Sequence, residues 1–169
     1  MLTKQSKQKQ KRRNERMVYF SRATLRFDGG CQPNPGEGGA GFEVFNDKNG
    51  NTIVQGQEYL GYDCTNNVAE YKGLIAGLKR LRDSPHRIGH LDIEGDSELV
   101  INQLNGYYDV HSHRLRPLFN RAKQLIHACQ GREFDTYSII HIPRDDNARA
   151  DSLARSAINE ERNWSRDYY

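Results

Sequence analysis

The sequence has no run approaching the roughly 18 uninterrupted apolar residues that a membrane helix requires, which excludes that kind of span and predicts a soluble protein. Its first residues, MLTKQSKQKQKRRNER, hold no apolar core of a secretory signal and no amphipathic stripe of an organelle presequence. An intracellular protein, cytoplasmic or nuclear, is expected. Cysteine is scarce: Cys31, Cys64 and Cys129 are odd in number, widely spaced and without a CxxC pair. Neither a disulfide framework nor a zinc cage is suggested, and the three read as reduced thiols. Internal repeats are absent too, and 169 residues are enough for one domain with a sizeable core but not for two comfortable ones.

Charge of one sign is concentrated rather than spread. Residues 1–16 hold seven basic side chains against Glu15, a local balance of +6, so the rest of this +3 chain carries −3. Such a polar segment cannot bury enough apolar surface to offset its ordering entropy and is expected to be a disordered basic tail. It can be a solvated solubilising tail, an attraction for nucleic acid or a nuclear address. The expected organisation is tail 1–16, catalytic domain 17–160 and C-terminal extension 161–169. The initial methionine favours a free-standing protein.

After the tail, VYFSRATLRFD reads as a strand, and GGCQPNPGEGG as a turn region. GAGFEVFN and TIVQGQEYLG are two further strands, joined through an Asn-Gly turn at Asn49-Gly50. From Asn66 to about Arg82 the residues Val68, Tyr71, Leu74, Ile75, Leu78 and Leu81 recur at helical spacing. Gly73 and Gly77 would each cost that helix roughly 1 kcal/mol unless they permit close packing on the sheet, which is the expectation. Ile88 to Glu94 is a fourth strand, and Asp96 opens a short helix through Leu104. Leu115 to Cys129 is helical, Phe134 to Ile142 is a fifth strand, and Asn147 to about Asn159 is a closing helix. The order βββαβααβα predicts an α/β fold: a five-stranded mixed sheet, three antiparallel strands first, with helices packed on it.

Isolated carboxylates mean little, but four stand where α/β folds build sites. Asp28 ends the first strand, Asp96 ends the fourth, and Glu70 and Asp151 lie in the first turns of helices. The alternative for Asp96 is a helix N-cap, which Ser97 could share.

FDGGCQPNPGEGGAGF, TNNVAE, GDSELV and PRDDNARADSLA, in that order, resemble the ribonuclease H family, type 1, over about Leu25 to Ile158. The resemblance is to the short archaeal and plant-like form. It implies a ribonuclease H-like fold and endonucleolytic hydrolysis of the RNA strand of RNA/DNA hybrids. The implied site holds two magnesium or manganese ions on Asp28, Glu70, Asp96 and Asp151, leaving 3′-hydroxyl and 5′-phosphate ends. Four converging carboxylates would raise one another's pKa, which divalent cations relieve. Two ions about 3.5 to 4 Å apart can clamp an in-line phosphoryl displacement. Asp28 is the candidate bridging ligand, with Glu70 and Asp96 completing one ion's shell and Asp151 the other's.

Substrate contacts implied by the same motifs are Gly29 and Gly30 beside the RNA strand, Asn34 near a base or sugar, and Thr65, Asn66 and Asn67 toward the minor groove and a DNA phosphate. The plainer reading makes Asn34-Pro35-Gly36 a turn and Thr65 a helix cap. Two departures stand out. NGYYDVHSHRLRP replaces the basic protrusion many members carry, and HIPRDDNARAD has no loop histidine before the last aspartate, a role that Arg144 best fits, with His141 fixed on the strand. A structural role for Arg144 is the alternative. The expected partner is the hybrid, with no membrane, and the expected state is a monomer. A DNA nuclease on a related fold and a catalytically dead hybrid-binding module are the competing readings. The hybrid-reading motifs speak against the first and the complete acidic set against the second.

Overall fold

The computed structural model describes residues 3–8 and 17–167, with residues 163–167 described by backbone alone. Residues 4–8 form a single helical turn. The rest of the expected tail's basic cluster, Lys9, Lys11, Arg12, Arg13 and Arg16, lies outside the described residues.

Five strands form one sheet: β1 (Tyr19–Gln32), β2 (Gly36–Asn46), β3 (Thr52–Cys64), β4 (Arg87–Gly95) and β5 (Phe134–His141). Their spatial order is β3-β2-β1-β4-β5. The first three pair antiparallel, whereas β4 runs parallel to β1 and β5 parallel to β4. The helices are α1 (Asn66–Asp83), α2 (Glu98–Leu104), α3 (Arg116–Cys129) and α4 (Ala148–Asp167), the last preceded by a 3-10 turn at Arg144–Asn147. The expected fold class and element order are those observed.

Alternation along β1 sends Ala23, Leu25 and Phe27 into the main core, where they join Leu74 and Leu78 of α1 and Ile126 and Cys129 of α3. Thr65 caps α1, its Oγ1 accepting from the Val68 backbone N–H at 3.4 Å. The two helical glycines sit where expected: a Cβ on Gly73 would lie 2.5 Å from the Asp28 carbonyl oxygen, and one on Gly77 3.1 Å from Leu25.

Three local readings are corrected. The stretch GGCQPNPGEGG is mostly strand, with Gly29↔Ala40, Gly30↔Gly39 and Cys31↔Gly38 as ladder partners and only Pro33–Pro35 left for the turn. Helix backbone takes the place of a side chain at Gly29, against Ala69, and at Gly39, against Ala154. Asp96 is not the helix start either; Ser97 caps α2, accepting from the Val100 N–H at 3.2 Å. Finally, α4 does not stop near Asn159 but runs through Asp167. Glu160 accepts from Gln57 at 2.8 Å and Arg162 pairs with Glu37 at 2.6 Å, so contacts to β2 and β3 continue past residue 160. Among the described residues no helix is long and apolar enough to cross a membrane.

Candidate active site

Strands β1 and β4 stay in register only to Arg26↔Glu94. Beyond that point they part, which opens a crevice at the carboxyl ends of parallel strands, where α/β folds place their ligands. Asp28 follows two residues later on β1, and Asp96 follows β4 directly. Asp28 does not end its strand, contrary to the sequence reading, because Gly29 to Gln32 remain paired with β2.

Close backbone approaches bring in the other two acids. A Cβ on Gly29 would overlap the Ala69 carbonyl and come within 2.5 Å of the Glu70 nitrogen. The bare backbone of Gly29 thus lets α1 settle on β1 with Glu70 beside Asp28. Gly41 stands opposite Asp28 in the ladder. A Cβ there would lie 2.6 Å from the Ala150 carbonyl and the Ala154 nitrogen, so α4 rests on β2 at that level and delivers Asp151.

Carboxylate oxygens of Asp28, Glu70 and Asp96 lie within 4.8 Å of one another. Asp151 is not one of that triplet but adjoins Asp28, whose carboxyl its charge and a side-chain hydrogen bond both raise. It lines a cleft of about 230 Å³ with Asp28, Glu70, Gly29, Gly30 and Arg144, and forms an ion pair with Arg155 at 3.0 Å.

Burial is the first cause of perturbed acidity here. The Asp28 carboxyl is pushed up to about 7 by desolvation, then by the charges of Asp96 and Asp151, against a lowering hydrogen bond from the Gly29 backbone. Glu70 rises to about 8, again by desolvation first; a Ser97 hydrogen bond and the Arg144 charge oppose this, while Asp28 and Asp96 add to it. Among the described residues, no basic side chain forms an ion pair with Asp28, Glu70 or Asp96. Three hard oxygen donors, crowded and unneutralised, fit a divalent cation of the magnesium, manganese or calcium type.

One residue the sequence reading passed over completes the site. Asn147 is fully buried; its Nδ2 donates to the Phe27 carbonyl and to Asp96 Oδ2, both at 2.9 Å, while its Oδ1 has no partner. It ties β1, the Asp96 carboxylate and the start of α4 together. It lay inside PRDDNARADSLA but read only as a helix start, since nothing local marks an asparagine as buried. His141 sits on β5 as expected, with Nε2 3.1 Å from the Asp96 carbonyl.

The polar residues read as substrate contacts organise the cleft wall. Asn34 Oδ1 accepts from the Asn66 N–H at 3.3 Å, and Asn66 Oδ1 accepts from the Cys31 N–H at 3.0 Å. Thr65 and Asn67 line a neighbouring cavity of about 400 Å³ with Gln103, His111 and Arg114. Arg114, from the segment in place of a basic protrusion, donates to the Asp63 carbonyl just before Thr65.

Residues 26–157 match the family model described as "Reverse transcriptase-like". The chain is 40% identical over 136 residues to "Ribonuclease HI" of Halobacterium salinarum, covering 79% of this chain and 63% of that protein. It is 33% identical to "Ribonuclease H" of Jannaschia sp., covering 78% of this chain and 87% of the relative. The crystal structure of the Halobacterium enzyme superposes with a TM-score of 0.73 at 36% identity, over 83% of this chain and 99% of that one. LC11-RNase H1, solved in complex with RNA/DNA hybrid, gives 0.74 at 33% identity, over 82% and 98%. With its sheet order, its acidic crevice and these likenesses agreeing, the chain belongs to the reverse transcriptase-like family and, within it, to the type 1 ribonucleases H.

Proposed function

We propose that this protein hydrolyses the RNA strand of RNA/DNA hybrids endonucleolytically, by a two-metal-ion mechanism that leaves 3′-hydroxyl and 5′-phosphate ends. The observation carrying this is the convergence of Asp28, Glu70 and Asp96 within 4.8 Å at the mouth of the parted strands, with none of them in an ion pair among the described residues. Magnesium or manganese would be held by Asp28 as the shared ligand, with Glu70 and Asp96 on one side and Asp151 on the other. Divalent cations in such a site supply Lewis acidity toward phosphoryl oxygens and a lowered water pKa.

The chain's own residues do the rest. Asn147 fixes the Asp96 carboxylate through Nδ2, and Arg155 holds Asp151 on the cleft wall until a stronger cation claims it. Gly30 is open, a Cβ there meeting only Asn66 Oδ1 at 3.9 Å, so a sugar-phosphate backbone can approach at that point; Gly29 helps line the same cleft. With their carbonyl oxygens occupied, Asn34 and Asn66 keep amide donors for substrate. Thr65 and Asn67 extend the track along the start of α1, and a hybrid's 2′-hydroxyls give Glu70 and these amides a means of telling RNA from DNA. Arg144, on the cleft wall, assists departure of the cleaved phosphate.

The test uses strand-labelled hybrid, duplex DNA and duplex RNA, each with magnesium, manganese or chelator. Cleavage confined to the RNA of the hybrid, and lost with chelator, is the expected result. Cutting of duplex DNA would support the DNA-nuclease reading instead, and binding without cutting would make the domain a hybrid-binding module.

A further inference from the structure

Two of the three thiols meet at the rim of the cleft. Cys31 lies on β1 and Cys64 ends β3, so β2 runs between them. In a regular sheet two strand spacings, about 9.5 Å, would separate such residues. That exceeds the roughly 7 Å between Cα atoms that a disulfide can bridge.

The intervening residue removes the obstacle. Cys31 stands opposite Gly38 in the β1–β2 ladder, and the β2–β3 pairing shifts register on both sides of Gly38. A Cβ on Gly38 would lie 2.6 Å from both Cβ and Sγ of Cys64. The Cys64 side chain therefore occupies the space above β2 that a larger residue would fill, on the face where Cys31 projects as Gly38's ladder partner. Cross-strand partners have Cβ atoms about 4.5–5.5 Å apart, so Cys64 takes up the position from which a direct neighbour would reach Cys31. The two thiols interact across the glycine, and Cys31 is pushed up to about 12, by desolvation first and by Cys64 next. Cys31 is half-buried and lines the acidic cleft, whereas Cys129 is buried elsewhere, in the core among α1 and α3 residues.

We propose that Cys31 and Cys64 are a reversible disulfide-forming pair, a modification site that links β1 to β3 over Gly38 at the edge of the active-site cleft. A small organic disulfide such as oxidised glutathione is the oxidant. The Cys31 thiolate attacks one of its sulfurs, releasing a glutathione thiol and leaving a mixed disulfide on Cys31. The Cys64 thiolate then attacks the Cys31 sulfur and expels the second glutathione thiol. Two protein thiols lose two protons and two electrons, and the oxidant is reduced to two thiols. Because Cys31 is held as a thiol, exchange is slow at neutral pH.

The bridge bears on the cleft through its flanks. The Cys31 N–H donates to Asn66 Oδ1, and Cys64 precedes Thr65, the cap of the helix that carries Glu70. Drawing the two sulfurs together pulls on both ends of that wall. This consequence rests on the nuclease reading, whereas the bridge itself does not.

The experiment incubates the folded full chain with excess oxidised glutathione for many hours at mildly alkaline pH, then alkylates free thiols and maps peptides by mass spectrometry without reduction. The expected product has lost two hydrogens, joins the peptides of Cys31 and Cys64, leaves Cys129 alkylated, and reverts with dithiothreitol. In Cys64→Ser the same treatment should stop at a glutathione adduct on Cys31. A lasting adduct in the unaltered protein, a bridge involving Cys129, or three free thiols would each overturn the site. Hybrid cleavage by the bridged protein should fall several-fold and recover on reduction, and unchanged cleavage would overturn the coupling to the cleft. If the reduced protein itself cuts no hybrid, the nuclease reading fails while the peptide map still decides the bridge.

Discussion

Strands β1 and β4 carry acids along one continuous face, and the lower and upper parts of that face treat them differently. Low on the pair, Asp92 meets Arg22 at 2.7 Å and His90 at 3.1 Å, and Glu94 meets Arg26 at 2.7 Å. Higher up, Asp28 and Asp96 face each other and Glu70, and among the described residues no arginine forms an ion pair with them. Burial does not distinguish the two parts, since Asp92 is 5% exposed and Asp28 8%. The distinction is the partner across the strands. Where the ladder holds, each acid is answered by a cation from the neighbouring strand. Where it opens, the acids are left to protons or to an added cation.

The most severe way to break this comparison is to remove one upper acid without removing its volume. Asp28→Asn or Asp96→Asn should lower magnesium-dependent hybrid cleavage by about two orders of magnitude or more, with circular dichroism unchanged, because a ligand charge is lost and the shape is kept. Asp92→Asn is the matched control below. It should lower stability by roughly 1–3 kcal/mol in a denaturant titration, through loss of charge-assisted hydrogen bonds, and leave the cleavage rate near normal.

Asn147 lies between the two regimes, and Asn147→Ala sharpens the boundary. The substitution leaves the buried Phe27 carbonyl without this donor and frees the Asp96 carboxylate. A stability loss of about 1–3 kcal/mol should come with weaker magnesium activation, whereas Asp92→Asn should lose stability alone. Equal magnesium dependence in the mutant and the parent would make Asn147 a packing residue only.

Acidity offers a subtler contrast. Folding raises Asp28 to about 7 and Glu70 to about 8, above their unfolded values near 4, so the folded chain holds these protons more tightly. Their contribution is full below the unfolded values and is lost as pH rises through 7 and 8. Metal-free protein should therefore lose stability between about pH 4 and 8, at up to about 1.4 kcal/mol per pH unit for each carboxyl that keeps its proton only in the folded state. Asp28→Asn should flatten that fall, and magnesium should oppose it. Melting curves in chelator across that pH range give the measurement, and a flat profile would mean the upper acids are as well compensated as the lower ones.

Helical spacing from Val68 to Leu81 and strand alternation report burial directly, so element order and fold class could be read residue by residue. The four acids stand out in the sequence because its pattern puts them near expected strand ends and helix starts. What escaped depends on pairs distant in sequence. Gly29 to Gln32 looked like turn because glycine and proline chemistry is local, while the helices that press on those glycines begin tens of residues later. Asn147 reaches Phe27 across 120 positions, and no local pattern marks such a contact. The extent of α4 escapes a local reading for the same reason, since Glu160 and Arg162, just past the expected end, are held by Gln57 and Glu37.

A smaller effect is expected from Arg144→Ala. The residue begins the 3-10 turn, lines the cleft, and its charge opposes the rise of Glu70. Turnover with excess hybrid should slow by several-fold, with single-turnover cleavage and hybrid affinity little changed, if the guanidinium helps product leave. Equal slowing of the first and later turnovers would assign it to holding Glu70 instead.

The smallest effect on chemistry, and the widest spatial contrast, belongs to residues 1–16. Their +6 balance opposes a remainder of −3, and the chain enters the sheet at Tyr19, nine residues down β1 from Asp28, about 30 Å at the strand rise. The tail thus leads into β1 at the end away from Asp28. On the proposed function, a hybrid long enough to extend well beyond the cleft should meet the tail through phosphates away from the scissile bond, raising affinity without touching catalysis. Each phosphate neutralised steepens the fall of log affinity with log salt by roughly 0.7 to 0.9, so three contacts contribute about two to three to the slope. Deleting residues 1–16 should therefore weaken hybrid binding at low salt and flatten its salt dependence, while the single-turnover rate at saturating hybrid stays the same. Binding is measured in calcium, or with Asp28→Asn, to keep cleavage from confounding it. Identical affinity and slope with and without the tail would mean that the folded domain holds the substrate alone, and that the basic residues serve solubility or address.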